Sequence, residues 1–167
     1  SERQLLLMLG SKTTTEVWTL DAQTPEQPFS CVAPREEDHE YEVDHGQLNG
    51  QWCWFIRSNQ SGINFALYTA AENTPQRQHW QTLIEHNPRV MLEGVSLNHA
   101  AFVLSLREAG LPVVEVHPQE LPEYRIQLPD AAYNLYVQDT LEFASNTIRL
   151  RYEALNRPAQ IRQLTLT

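Results

Sequence analysis

Only two cysteines, Cys31 and Cys53, occur among the 167 residues. They form neither a Cys-x-x-Cys pair nor the dense framework of a disulfide-stapled secreted domain, so buried free thiols are expected. Long apolar runs are missing too. The longest, Leu5 to Leu9, has the length of a strand and falls far short of the roughly 20 residues of a membrane-spanning helix, so no membrane partner is expected. Basic charge is scarce: 12 Lys and Arg stand against 21 Asp and Glu, a net charge of −9. That balance argues against nucleic acid or an anionic membrane as partner and weakly favours cationic ones. Helical periodicity is nearly absent. An initiator methionine and a signal-peptide pattern are lacking as well, and strand-like residues begin almost at once. The expectation is a piece of a longer protein. The sequon Asn59-Gln60-Ser61 reads as a chance match in a turn.

What the chain does contain is a folded composition, 20% charged and 41% hydrophobic, and a repeat. Apolar runs of strand length alternate with polar turns: QLLLMLG and EVWTL, WCWFIRSN and INFALYT, AFVLSLRE and LPVVEV, TIRLRYEAL and AQIRQLTL. Each pair reads as a hairpin, with Gly10, Gly62 and Gly110 supplying the turn in the first three. Leu5, Trp52, Phe102 and Ile148 begin equivalent strands at intervals of 47, 50 and 46 residues. An outer strand follows each of the first three hairpins (PFSCVA, HWQTLI, EYRIQL), and an inner strand precedes each of the last three (YEVDHG, VMLEGVSL, NLYVQDTLEF).

Four strands per repeat is the size of a β-propeller blade. Trp52, Cys53, Trp54, Phe55 and Ile56 are apolar on both faces, as a strand sandwiched between neighbours requires. The fold class expected is therefore all-β, a partial β-propeller in a single domain over 1–167. Two complete four-stranded antiparallel blades, 35–86 and 87–129, are flanked by incomplete ones, 1–34 and 130–167. An evenly spaced β-sandwich would give a similar pattern. Fewer than four full blades fall below the usual closed ring of about four to eight, so an open arc is expected rather than a ring.

Ser11 to Ala22 (SKTTTEVWTLDA), Asp38 to His45 (DHEYEVDH), Ile56 to Tyr68 (IRSNQSGINFALY) and Met91 to Leu97 (MLEGVSL) resemble, in order, the N-terminal propeller of the oligopeptidase B (bacterial protease II) group. That group lies within the prolyl oligopeptidase family of serine peptidases. The resemblance runs from near Ser1 to near Thr167 and diverges at Pro112 to Pro122. It implies a seven-bladed propeller capping an α/β-hydrolase catalytic domain that cleaves short peptides after Arg or Lys. In such enzymes the propeller keeps folded proteins from the buried site, and hinge opening admits substrate. A bacterial cytoplasmic location is implied, with the periplasm left open.

The nucleophile elbow of an α/β-hydrolase is spelled Gly-x-Ser-x-Gly between strand and helix. The nearest approach, Gly94-Val95-Ser96-Leu97-Asn98, lacks the second glycine and lies within an expected strand. No catalytic residue is assigned, the chain alone is expected to be inactive, and no cofactor is called for. On the resemblance, the serine, aspartate and histidine would lie beyond Thr167.

The densest titratable stretch is EEDHEYEVDH at 36–45. A zincin helix needs His-Glu-x-x-His, and the second histidine comes too late. In a strand His39, Tyr41, Val43 and His45 share one face while Glu40, Glu42 and Asp44 share the other. The two histidines then stand roughly 20 Å apart, too far to hold one ion. His79, His86, His99 and His117 show no ligand spacing, and no metal is assigned. Glu40 and Glu42 could form an acid–base pair at about 7 Å. The propeller resemblance places the stretch on an innermost blade strand, where Asp38, Glu40, Glu42 and Asp44 would steer short basic peptides toward the enzyme. Pairing with Arg35, Arg57 or other groups, or plain solvation, is the duller alternative. Trp52 and Trp54 are expected in the core.

Two functions follow. One is a gate and docking surface for an α/β-hydrolase domain; the other is a stand-alone propeller-like protein-interaction module without peptidase activity. A self-sufficient metal-dependent hydrolase is a third and weaker reading. Because the first blade lacks its inner strand and the last its outer one, the isolated chain is expected to self-associate.

Overall fold

The computed structural model describes residues 1–138 and 142–166. Fourteen strands and one 3-10 turn, Arg77–His79, account for its regular structure, with no α-helix among the described residues. The chain divides into two compact units, Ser1–Gly46 with Trp52–His86, and Gln47–Gln51 with Asn87–Thr167.

The first unit holds two antiparallel sheets. One is β1 (Gln4–Gly10), β2 (Thr15–Asp21) and β3 (Ser30–Ala33), in that order. The other is β4 (Tyr41–Leu48), β5 (Gln51–Ser58), β6 (Ala66–Ala71) and β7 (Gln81–Ile84), also in sequence order. Period-2 patterning turns apolar side chains of both sheets inward. Val17, Val32 and Ala33 from the first sheet pack with Tyr41, Val43, Trp54, Ile56, Ala66, Tyr68 and Ala70 from the second. Cys53, Phe55 and Leu67 are buried as well, so the central strands of the second sheet carry no exposed apolar face.

The second unit repeats the plan. β8 (Val90–Leu97), β9 (Ala101–Glu108), β10 (Leu111–Pro118) and β11 (Tyr124–Arg125) make one sheet, ordered β11-β10-β9-β8. β12 (Tyr133–Gln138), β13 (Thr147–Ala154) and β14 (Arg157–Thr165) make the other. Ala101, Val103, Val114 and Val116 pack with Leu135, Ile148, Leu150, Tyr152 and Leu166. The strand complement is thus three, four, four and three, with every pairing between neighbours in sequence: two complete blades flanked by two incomplete ones.

Some local expectations change. Gly10 is the last residue of β1, opposite Thr15, and does not form the turn. Ser11 and Thr14 do: the Ser11 amide donates to the Thr14 carbonyl at 2.9 Å, and their hydroxyls bond at 2.7 Å. The outer strand expected over 123–128 keeps ladder pairing only at Tyr124–Arg125. Ile126 still donates to the Val114 carbonyl at 3.0 Å, and Leu128 packs on the core without strand geometry. Of the inner strand expected over 134–143, residues 139–141 lie outside the described part and Phe143 sits in a turn. Cys53 is buried, whereas Cys31 is half-buried, and the two are not joined by a disulfide.

The β4–β5 hairpin closes through Asn49 and Gly50, at φ 51° and 75°. This Asn-Gly pair has the two left-handed residues of a type I′ turn, whose twist suits a two-residue hairpin.

Candidate functional site

The acidic stretch opens with a turn: the His39 amide donates to the Glu36 carbonyl at 3.2 Å, and Asp38 takes a left-handed φ of 58°, tolerable for aspartate. From His39 onward the side chains alternate. His39, Tyr41, Val43 and His45 are buried, while Glu40, Glu42 and Asp44 are exposed. Alternation over His39–His45 separates a core-facing row of three rings and Val43 from a solvent-facing row of carboxylates.

The exposed row is less bare than the sequence suggests. Arg57 on β5 grips Glu42 with two nearly parallel bonds, Nε to Oε2 at 3.0 Å and Nη2 to Oε1 at 2.9 Å. The Arg57 guanidinium also lies 4.0 Å from the centre of the Phe65 ring. Asp38 and Glu40 are tied through backbone: Asn59 donates its side-chain amide to the Asp38 carbonyl at 3.0 Å and accepts from the Glu40 amide at 2.9 Å. These bonds commit the amide of the Asn59 sequon to the turn. The carboxylates of Asp38 and Glu40 remain exposed. Arg35 binds elsewhere, its backbone amide donating to Glu16 at 2.9 Å.

Sequence reading missed a second such pair. In the other unit Arg107 on β9 binds Glu93 on the inner strand β8, with Nε to Oε1 at 2.5 Å. Arg107 lies 50 residues after Arg57, at the interval separating Trp52 from Phe102. The repeat spacing was the signal that could have revealed it. In both complete sheets an inner-strand glutamate is held by an arginine of the next strand.

The buried row does a different job. The His39 ring bonds Ser58 Oγ at 2.9 Å and stacks on Tyr41, centroids 5.0 Å apart. Burial lowers its pKa, reinforced by Arg77 and opposed by Glu36. His45 faces Ser1 Oγ at 2.7 Å and Glu72 at 3.1 Å, with the indole of Trp52 stacked at 5.1 Å. Burial drives its pKa down to about 4 against the opposing pull of Glu72. The two histidines have separate partners and share no ligand position. Trp54 is buried in the core, as expected, and Trp52 is half-buried.

No group of three or more His, Cys, Asp or Glu that could hold a metal ion gathers among the described residues. His79 lies in the 3-10 turn, His86 packs over Gly62, His99 donates its amide to the Phe143 carbonyl at 2.9 Å, and His117 bonds Glu115 at 2.9 Å. Ser96 sits inside β8 opposite Val103, and Asn98 accepts from the amides of Ala100 and Ala101, so the Gly94–Asn98 stretch is strand and turn, not an elbow. A cleft of roughly 370 Å³ in the first unit is lined by Arg3, Asp21, Trp54 and Glu72 among others and touches none of the four candidate carboxylates. What the acidic row can do chemically is attract cations; no serine, threonine or cysteine lies in it.

Residues 1–167 match the family model described as the prolyl oligopeptidase N-terminal beta-propeller domain. The chain is similar to dipeptidyl aminopeptidase BI of Pseudoxanthomonas mexicana, 26% identical over 159 residues, covering 95% of this chain and 21% of that protein. It is also similar to protease 2 of Moraxella lacunata, 24% identical over 159 residues, covering 95% and 22%. Among solved structures, oligopeptidase B from Trypanosoma brucei, in a closed form with covalently bound antipain, superposes with a TM-score of 0.86 at 20% identity. That match covers 98% of this chain and 24% of that one. The chain therefore spans about a fifth of the length of these curated relatives.

Proposed function

The chain belongs to the prolyl oligopeptidase family, within its N-terminal β-propeller domain, and from that premise we propose that it is a non-catalytic propeller segment gating a serine oligopeptidase that hydrolyses short peptides after Arg or Lys. Its four sheets are consecutive blades of one propeller, and its partner is an α/β-hydrolase domain outside these 167 residues. The observation that carries the reading is the match over the full 1–167 together with the blade-wise order of strands. The proposed location is the bacterial cytoplasm, where Cys31 and Cys53, not joined by a disulfide, would remain reduced.

Within this reading the exposed carboxylates of Asp38, Glu40, Glu42 and Asp44 draw basic peptides to the propeller by long-range attraction. Glu42 contributes less than its exposure suggests because Arg57 offsets its charge. The isolated chain, with two three-stranded sheets, self-associates.

The reading frame beyond Thr167 tests the first part: it should contain Gly-x-Ser-x-Gly followed by aspartate and histidine. A frame that enters another kind of domain would leave only the interaction-module reading. In the full-length enzyme, Asp38→Asn with Glu40→Gln and Glu42→Gln should lower kcat/KM for dibasic peptides severalfold at low salt and little at high salt. Unchanged low-salt kinetics would remove the steering role and leave the family assignment untouched.

A further inference from the structure

The acidic turn at residues 36–40 rests on a buried ring. His39 is 4% exposed, and its Nδ1 has no hydrogen-bond partner among the described residues. Its Nε2 meets Ser58 Oγ on β5 at 2.9 Å. Ser58 is itself fully buried, and its oxygen also accepts from the Gln60 amide at 3.1 Å. Tyr41 stacks on the ring, and Trp80 tilts against it at 6.2 Å. Such a seat suits a neutral imidazole, which has one N–H to place, and not an imidazolium, which has two.

We propose that this turn is a proton-operated latch: neutral His39 holds it against β5, and a proton taken up by His39 releases it. The latch is independent of the steering role, since it concerns how the turn is held and not what its carboxylates attract.

The backbone on both sides of His39 is tied down. Its amide donates to the Glu36 carbonyl at 3.2 Å and closes the turn, while its carbonyl accepts from the amide of Thr15 on β2 at 3.0 Å. Asn59 donates its side-chain amide to the Asp38 carbonyl at 3.0 Å and accepts from the Glu40 amide at 2.9 Å. The Asn59 backbone amide donates to the Glu40 carbonyl at 3.1 Å. His39 thus lies between the two residues that Asn59 grips. Movement of its ring away from β5 strains all of these bonds together.

Protonation turns the ring from an anchor into a misfit. Ser58 Oγ can receive one imidazolium N–H through its remaining lone pair. The other would stay buried and unpaired at Nδ1, and an unpaired buried donor is costly, more so when charged. The charged groups acting on the ring are Arg77 and Glu36, which bind each other. Arg77 repels an imidazolium, and the exposed carboxylate of Glu36 attracts it. The ring is therefore drawn out of its aromatic seat toward Glu36, in competition with Arg77. Tyr41, its phenol pushed up to about 12, stays neutral throughout.

Hydrogen exchange of the full-length protein, read by mass spectrometry as protection factors at pH 7 and pH 5, tests the latch. Peptides covering 36–42 should lose about tenfold in protection at pH 5, while those covering β6 keep theirs. His39→Gln, neutral at both values, should protect 36–42 equally at pH 7 and pH 5. Glu36→Gln, at an exposed position, should move the release to lower pH because the attracting charge is gone. Equal protection of wild-type 36–42 at the two pH values, or a loss that survives His39→Gln, would overturn the latch. Release at an unchanged pH in Glu36→Gln would overturn it as well. A loss shared equally by β6 would mark general weakening of the first unit and count against it in the same way.

Discussion

The phenolic oxygen of Tyr41 on β4 accepts a hydrogen bond from the backbone amide of Val17 on β2 at 2.7 Å and donates to the Ala33 carbonyl on β3 at 2.6 Å. The register between β2 and β3 slips at this point, between Val17 and Trp18. A bulge leaves ladder groups unpaired, and a hydroxyl from the neighbouring sheet satisfies them. One side chain thus joins two sheets by packing and by polar bonds together. Tyr41→Phe keeps the packing and leaves the Val17 amide and Ala33 carbonyl buried without this partner. The variant should lose about 1–3 kcal/mol in urea unfolding with little change in m-value. A loss below a few tenths would mean water fills the bulge equally well.

Acid should weaken the first unit before its carboxylates are titrated. His45 has an ordinary pKa of 6.5 when unfolded and about 4 when folded. Between those values the unfolded chain binds more protons, so stability is complete above about 6.5 and declines as pH falls through the window. His39, also lowered by burial, adds in the same direction. The upper bound from His45 alone is roughly 3 kcal/mol. Urea midpoints at pH 7 and pH 4.5 should differ, and His45→Asn should flatten the difference while lowering stability at pH 7.

Gly62 sits at φ 153° with the His86 ring against it, where an added Cβ would come within 2.3 Å of His86 Nε2. Gly62→Ala should cost roughly 1–3 kcal/mol from backbone conformation and displacement of the ring. Adding His86→Ala should recover part of that loss. Strict additivity of the two would show that the backbone alone is responsible.

The grip of Arg57 on Glu42 makes a kinetic prediction. On the proposed steering role, Glu42→Gln alone in the full-length protein should change low-salt kcat/KM for basic peptides by less than about twofold, because the charge removed is already offset. Asp38→Asn with Glu40→Gln should account for most of the effect of the triple variant. Equal effects from the single and double variants would assign Glu42 a direct contact with substrate.

The blade pattern was legible because a strand repeats every two residues and a blade every 46 to 50, and both periods survive without tertiary information. Side-chain alternation alone separated His39 and His45 from Glu40, Glu42 and Asp44. Asn49-Gly50 carried its turn signal openly and went unused, whereas Gly10 was assigned a turn that two hydroxyl side chains make instead. The Tyr41 bond into the bulge and the seat of His86 over Gly62 were not readable. Each joins residues brought together only once the strands have packed, and no local propensity marks them.

Tyr41 also makes the first unit its own indicator dye. Burial pushes its phenol up to about 12, against the lowering pull of the Val17 and Ala33 backbone bonds, so it resists ionisation while the sheets stay packed. Parting of the two sheets returns it to an ordinary phenol near 10, and alkaline unfolding should register as a step in tyrosinate absorbance that Tyr41→Phe diminishes. The bond that links the sheets would thus report, in ultraviolet absorbance, the moment at which they separate.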